Sequence, residues 1–329
     1  MDLVNPMDYT DFINPDYLDR KISQPMADFL VPAGMNGLLE VVYVPTFTPN
    51  SLAVEGPWVM KETAALKGVL TSAATTSALA VYGGAGGGAA GTLAMLSFIQ
   101  QHSSIDNYLP NTKALSYGQV GVHYTHTFGP VDLGATYYFG RSRNPSVYIT
   151  GNTVNDIAMN FDRIHVAGLE AASTLAGFNL RAEGAFTFTE DMAGDDPRII
   201  NPGIGFVAGL DRGIPLHNLS VNLQAAGNYI LNHDEITMSN DVEKGREKAE
   251  TNLILNISDS FNHEKIKPEI SLIYAIEENA GCVKPSVAFE LDGYCTLDLA
   301  GAAFWGDADT RLGQFDNNDY VELTASFSF

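Results

Sequence analysis

The side chains with the clearest chemical potential are carboxylates on strongly alternating segments. A two-residue turn at Ala176–Gly177 would place Glu170 opposite Glu183, with Arg181 two positions along the same face. Paired carboxylates can act as general acid and base, but they then need a dry, shaped pocket. On a wet wall the same groups create a field that selects ions, and we favour this second interpretation.

Other charged residues share the polar face of alternating segments, and acidic side chains outnumber basic ones among them. Rings of Asp and Glu favour cations, so the excess predicts a weakly cation-selective pore. Lys267 and Lys284 are predicted to face the same way. The predicted pore-lining residues are Glu40, Asp132, Glu170, Arg181, Glu183, Glu269, Glu290, Asp298 and Glu322.

A formal GxGxxG runs from Gly86 to Gly91, after the strand-like ALAVYG and before the helix-like TLAMLSFIQQ. Such glycines bring backbone N–H groups against a pyrophosphate at a helix N-terminus. No alternating strand and helix pattern follows here, so the motif alone is weak evidence for nucleotide binding.

Metal and nucleophile chemistry also find little support. The acidic loops 190–199 and 307–318 could offer oxygen ligands, but without the spacing of an EF-hand they fit solvated loops better. The seven histidines have no zinc spacing, and no GxSxG elbow is present. A turn at Asp292–Gly293 would set Cys295 opposite Glu290, too far from Cys282 for a disulfide. We therefore expect no metal, no cofactor and no enzymatic step.

The elements that must position these residues are strands, because apolar and polar residues alternate with period two. Many of the segments reach the roughly 9–11 residues that a tilted strand needs to cross a bilayer. A soluble sandwich also alternates, but its strands average roughly five or six residues. The predicted strands are 38–47, 115–128, 131–141, 162–175, 178–189, 200–211, 219–232, 251–261, 266–276, 283–291, 294–305 and 319–329, with a weaker one at 25–32.

Short turns and long polar loops alternate between these segments, which is typical of an outer-membrane barrel. Apolar faces, with aromatic residues such as Tyr43, Tyr229 and Trp305 near strand ends, should meet lipid. Residues 48–112 are predicted to form one long external loop, without charge from Gly68 to Ile105. Its Gly/Ala-rich part, 64–99, is either a partly helical segment that narrows the pore or a flexible surface loop.

The bulk composition agrees with one membrane-barrel domain over residues 1–329. The net charge of −21 argues against a nucleic-acid partner, because phosphate binding needs clustered Lys and Arg. The start of the chain lacks a signal peptide, and bacterial barrels normally have an even number of strands. We therefore expect an all-β antiparallel transmembrane barrel, N-terminally truncated, with 12–13 strands here and about 14–16 when complete.

Several stretches resemble a porin-like family of uncharacterised bacterial outer-membrane barrels. They include NPMDYTDFINPD, LEVVYVPTFTPN, YGQVGVHYTHTFGPVDLGATYYFGRSRNPSV and GLEAASTLAGFNLRAEGAFTFTEDMAGDDP. The end DNNDYVELTASFSF resembles an outer-membrane assembly signal, which implies that Val321–Phe329 contacts the barrel-assembly machinery in the outer membrane. The resemblance implies a pore for small solutes and leaves oligomerisation open. A substrate-specific transporter, with a hydrophobic substrate among the options, and a surface adhesin are the alternatives.

Overall fold

The computed structural model describes residues 3–11, 18–82 and 89–327 of the 329-residue chain. Thirteen strands form one antiparallel sheet. Each of these strands pairs with the strands of the sheet that come before and after it along the chain. The predicted all-β class and the predicted 12–13 strands are confirmed. The strands are β1 Ala27–Pro32, β2 Gly37–Val44, β3 Gln119–Phe128, β4 Val131–Arg141, β5 Arg163–Leu175, β6 Phe178–Thr189, β7 Gly203–Ile214, β8 Leu219–Ile230, β9 Ala249–Ser258, β10 Ile266–Ala275, β11 Ala280–Asp292, β12 Cys295–Trp305 and β13 Tyr320–Phe327.

The tight turn between β5 and β6 fixes the register of the predicted carboxylate pair. Ala176 and Gly177 both have positive φ, 52° and 80°, as a two-residue hairpin turn requires. Glu170 therefore lies directly opposite Glu183, as predicted.

The register predicted for the turn between β11 and β12 is wrong by two residues. Cys295 pairs with Asp292 rather than with Glu290, because the turn is Gly293–Tyr294, and a bulge between Glu290 and Asp292 then leaves Glu290 opposite Thr296. A bulge adds a residue to one strand, and alternation alone does not reveal it. Both cysteines are free.

Long and short connections lie at opposite ends of the sheet, apart from one short connection, 276–279, at the long end. The short connections at one end are 33–36, 129–130, 176–177, 215–218, 259–265 and 293–294. The long connections are 45–118, 142–162, 190–202, 231–248 and 306–319.

The connection 45–118 carries two helices, α1 Lys61–Tyr82 and α2 Ala89–His102, which we call the helical hairpin. The strand-like interpretation of 78–82 is wrong, since these residues end α1. Alanine and leucine there favour helix, and Ala78 is fully buried. By length and composition α1 could cross a membrane, although 22% of its apolar window is buried within the protein. A strand pair, Ser146–Ile149 with Ile157–Asn160, stands in the connection 142–162.

The sheet is curved, which follows from the path of residues 50–58. Asn50 donates its backbone N–H to Arg143 O just after β4, at 3.1 Å, whereas the Trp58 ring lies 5.7 Å from that of Phe304 on β12. On a flat sheet those strands would be about 38 Å apart, at about 4.8 Å per spacing. Asn318 Nδ2, just before β13, also donates to Pro57 O, and the seven peptide units from Asn50 to Pro57 reach at most about 25 Å when extended. The face carrying Phe304 is therefore concave, and we call it the inner face.

Candidate pore lining

The outer face of the sheet presents large apolar side chains to solvent from one edge to the other. Leu169 is 72% exposed and Leu223 is 41% exposed, although neither lies in a loop. A soluble protein rarely exposes a continuous apolar surface of this extent. Exposed outer-face residues are Phe29, Tyr43, Tyr124, Leu133, Tyr137, Leu169, Phe188, Ile204, Leu223, Tyr229, Leu253, Ile270, Leu299, Val321 and Leu323.

The inner face carries the predicted pore-lining residues, in two groups rather than in one ring. Glu40, Asp132, Glu170, Arg181 and Glu183 lie on β2 and β4–β6. The second group, on β10–β13, comprises Glu269, Glu290, Asp298 and Glu322.

Local hydrogen bonds hold several of these carboxylates along the wall. Thr127 Oγ1 donates to Asp132 Oδ1 at 2.6 Å, and Thr324 Oγ1 donates to Glu322 Oε1 at 3.1 Å. Three further acids on described strands face the same way and were not predicted from the sequence: Asp28 on β1, Asp211 on β7 and Glu250 on β9.

His123, one of the seven histidines that have no zinc spacing in the sequence, lies between two predicted pore-lining acids. Its Nε2 is 2.8 Å from Glu170 Oε1 and its Nδ1 is 3.6 Å from Glu40 Oε2. The three side chains are each about one-third exposed. This contact joins β2, β3 and β5, and β2 and β3 are separated by the connection 45–118. Local spacing therefore could not reveal it.

The N-terminal segment, residues 3–11 and 18–26, precedes β1. It lies at the end with long connections but folds onto the inner face. Leu3, Val4 and Asn5 share a cavity of about 460 Å³ with Glu40, His123 and Glu170. Met7 pairs antiparallel with Lys21, and the short strand Asp8–Tyr9 pairs with Ser51–Leu52. The segment thus fills part of the concave side.

Arg143 holds this segment in place just beyond the end of β4. Its Nη2 donates to the backbone oxygens of Leu3 and Val4 and, at 2.8 Å, to Gln119 Oε1. Its Nη1 donates to Thr48 O, also at 2.8 Å. One guanidinium therefore links the N-terminal segment, the start of the long connection and the wall strand β3.

The helical hairpin lies over the long-connection end and is anchored on both sides. Trp58, just before α1, packs against Phe304, Phe315 and Tyr320 near β12 and β13. Farther along α1, Leu70 and Ala73 pack against Ile157 and Met159, and Ser77 Oγ accepts the Val154 N–H at 3.0 Å. The described parts of 64–99 are therefore helical and packed against the long connections.

Carboxylates in the long connections accept hydrogen bonds from nearby backbone N–H groups. Buried Asp191 accepts the N–H groups of Gly194 and Asp196 at 3.0 and 2.8 Å. Asp162 is 1% exposed and accepts from Ser146 Oγ and Ile200 N, yet burial raises the pKa of its carboxyl. Among the described residues no group of His, Cys, Asp and Glu could hold a metal ion.

The first half of the glycine motif, Gly86–Gly88, lies outside the described residues. The last described element before it is the helix α1 rather than the strand that a strand–turn–helix nucleotide site requires. A pyrophosphate loop needs that strand to aim its backbone N–H groups.

Comparisons with known proteins add little to this geometry. No family model matches the chain, and no curated protein matches it. The crystal structure of the outer membrane phospholipase dimer of Salmonella typhi with bound calcium overlaps 64% of this chain and 79% of its own, at 10% identity and a TM-score of 0.26. A likeness at this TM-score carries no argument about the present chain.

Proposed function

We propose that this chain forms the wall of a bacterial outer-membrane channel through which small hydrophilic solutes diffuse, with a weak preference for cations. The observation that carries the proposal is the division of one sheet into an exposed apolar outer face and a polar, acid-rich inner face. In lipid, apolar side chains outside and paired backbone within the sheet avoid the cost of burying unpaired polar groups. The channel needs no cofactor and no chemical step.

Closure is the structural demand that this proposal makes. Within the described residues, β1 and β13 are the two edges of the sheet and each pairs with one neighbour. An open edge in lipid leaves backbone N–H and C=O groups without partners. The proposal therefore requires β1 and β13 to join in the membrane, directly or through further strands.

Planar-bilayer recording tests the proposal. The protein is reconstituted under a KCl gradient, and its folding is checked by heat-modifiable migration. Ohmic steps with a reversal potential on the cation side are expected, because acids predominate on the inner face. A folded protein that gives no conductance would contradict the channel.

A substrate-specific transporter is the second candidate, and the filled concave side favours it. The N-terminal segment lies on the wall and the helical hairpin lies over the mouth, so both stand in the route of a solute. This candidate predicts a closed wild-type protein and an open variant when 68–99 is deleted. The channel predicts steps from both proteins.

A further inference from the structure

A cavity of about 780 Å³ lies outside the polar lumen, between the helical hairpin and the segments beneath it. Its apolar side chains come from the helical hairpin and the turn after it, and from the segments that it covers. They include Leu66, Ile105 and Leu109 on the first side and Ile22, Leu52, Val54 and Phe161 on the second.

The walls of this cavity are held by contacts that do not depend on a ligand. Leu66, Ile105 and Leu109 pack on the buried cluster formed by Leu70, Ala73, Ile157 and Met159. Phe161 is fully buried, and its ring lies 4.8 Å from that of Phe47. Because the walls are fixed on both sides, the cavity is preformed and its apolar surface offers water few partners.

The charged residues of this cavity are exposed at its rim, whereas uncharged polar side chains such as Thr63 and Ser103 line its less exposed parts. Lys67 Nζ is 3.8 Å from Glu55 Oε1, and both side chains are more than half exposed. Asp106 is nearby and lines the same cavity. Lys67 already has an acidic partner and the rim carries one more acid, so an anionic head group would meet net negative charge.

We propose that this cavity binds a small uncharged amphipath, with an apolar body of medium-chain alkyl type inside and a hydroxyl or similar polar end at the rim. At about 30 Å³ for a water-sized group, the cavity has room for about 26 non-hydrogen atoms, which is more than a medium-chain alcohol needs. The site goes beyond the proposed channel, because it is built from the long connections and does not require solute to flow.

Photolabelling in lipid vesicles tests the site without detergent. The full chain is exposed to a photoreactive medium-chain alcohol, and labelled peptides are identified by mass spectrometry. Saturable labelling at Leu66 and at 105–109 is expected, with competition by the unreactive alcohol. The carboxylate of the same chain length should compete less well. Uniform labelling that no alcohol reduces, or stronger competition by the carboxylate, would overturn the proposal.

A pair of variants on the same helix separates filling of the cavity from a general effect of tryptophan. L66W places the ring in the cavity, whereas L79W places it at a position that is 53% exposed. L66W should weaken labelling at 105–109 by about tenfold, one step of 1.4 kcal/mol in binding, and L79W should leave it unchanged. L109F narrows the cavity from the other wall and serves if L66W does not fold. If L79W and a folded cavity-filling variant, L66W or L109F, were labelled equally at 105–109, the proposed binding site would be wrong, whatever the conductance of the protein.

Discussion

Removing the guanidinium of Arg143 should release the N-terminal segment from the inner face. R143A deletes the donors to Thr48 O, to Gln119 Oε1 and to the backbone of Leu3 and Val4. Hydrogen bonds to charged groups contribute about 1.5–3 kcal/mol each. Two acceptors keep another donor, because Tyr138 Oη donates to Gln119 and Gln24 Nε2 donates to Val4 O. We therefore expect a net local cost of about 3–6 kcal/mol from the two hydrogen bonds that remain, those to Leu3 O and Thr48 O.

Hydrogen exchange measures this release directly. The amides of Met7 and Asp8 donate to Asn50 Oδ1 and Arg20 O, so their exchange reports opening of the segment. A cost of 3 kcal/mol corresponds to roughly a hundredfold faster exchange or more. R198A is the matched control, since Arg198 is 65% exposed and pairs only locally with Asp196. Unchanged exchange at Met7 and Asp8 in R143A, or an equal rise in R198A, would refute the assigned role of Arg143.

Three further perturbations follow from single contacts. In D162N, stability should vary less with pH than in the wild type. Because burial raises the pKa of Asp162 above its unfolded value of 3.8, its contribution to the free energy of unfolding is full below pH 3.8 and is lost as the pH rises through the folded pKa. Melting temperatures of both proteins measured against pH check this, and parallel curves would contradict it. W58A should free the start of α1 at a cost of about 3 kcal/mol and speed tryptic cleavage at Lys61 and Lys67, whereas W58F should not; equal cleavage of both would show that Trp58 is not the anchor. E170Q/E183Q should move the reversal potential toward zero, and the exposed-loop variant D309N should not; an unmoved potential would place this carboxylate pair outside the ion path.

Strand-level features of this fold follow from sequence because they are local. Period-two alternation identifies each strand, and the positive-φ pair Ala176–Gly177 sets the register that brings Glu170 opposite Glu183. The strand boundaries differ from the predicted ones by a few residues, and the strand predicted at 38–47 is Gly37–Val44. The bulge at Glu290–Asp292 could not be predicted in this way, because one inserted residue changes the alternation pattern very little.

Features that depend on distant segments could not be predicted. His123 meets Glu40 across strands that are separated by the connection 45–118, and Arg143 reaches Leu3 across 140 residues. The first contact arises from the pairing of β2 with β3, and the second from the N-terminal segment folding inward, and no single segment encodes either one. The helical hairpin shows the intermediate case, since its composition suggested partial helix but not its anchors at Trp58 and Leu70.

The central claim is that the outer face of the sheet meets lipid and the inner face meets water. Two adjacent positions on β8 test it, in a protein whose Cys282 and Cys295 are replaced by serine: Leu223, on the outer face, and Gln224, on the inner face. In vesicles, a fluorophore attached to L223C should be quenched by brominated lipid, and L223C should resist a charged thiol reagent. Q224C should show the reverse. Equal reaction of both cysteines with the charged reagent, without quenching by lipid, would contradict a membrane-spanning wall.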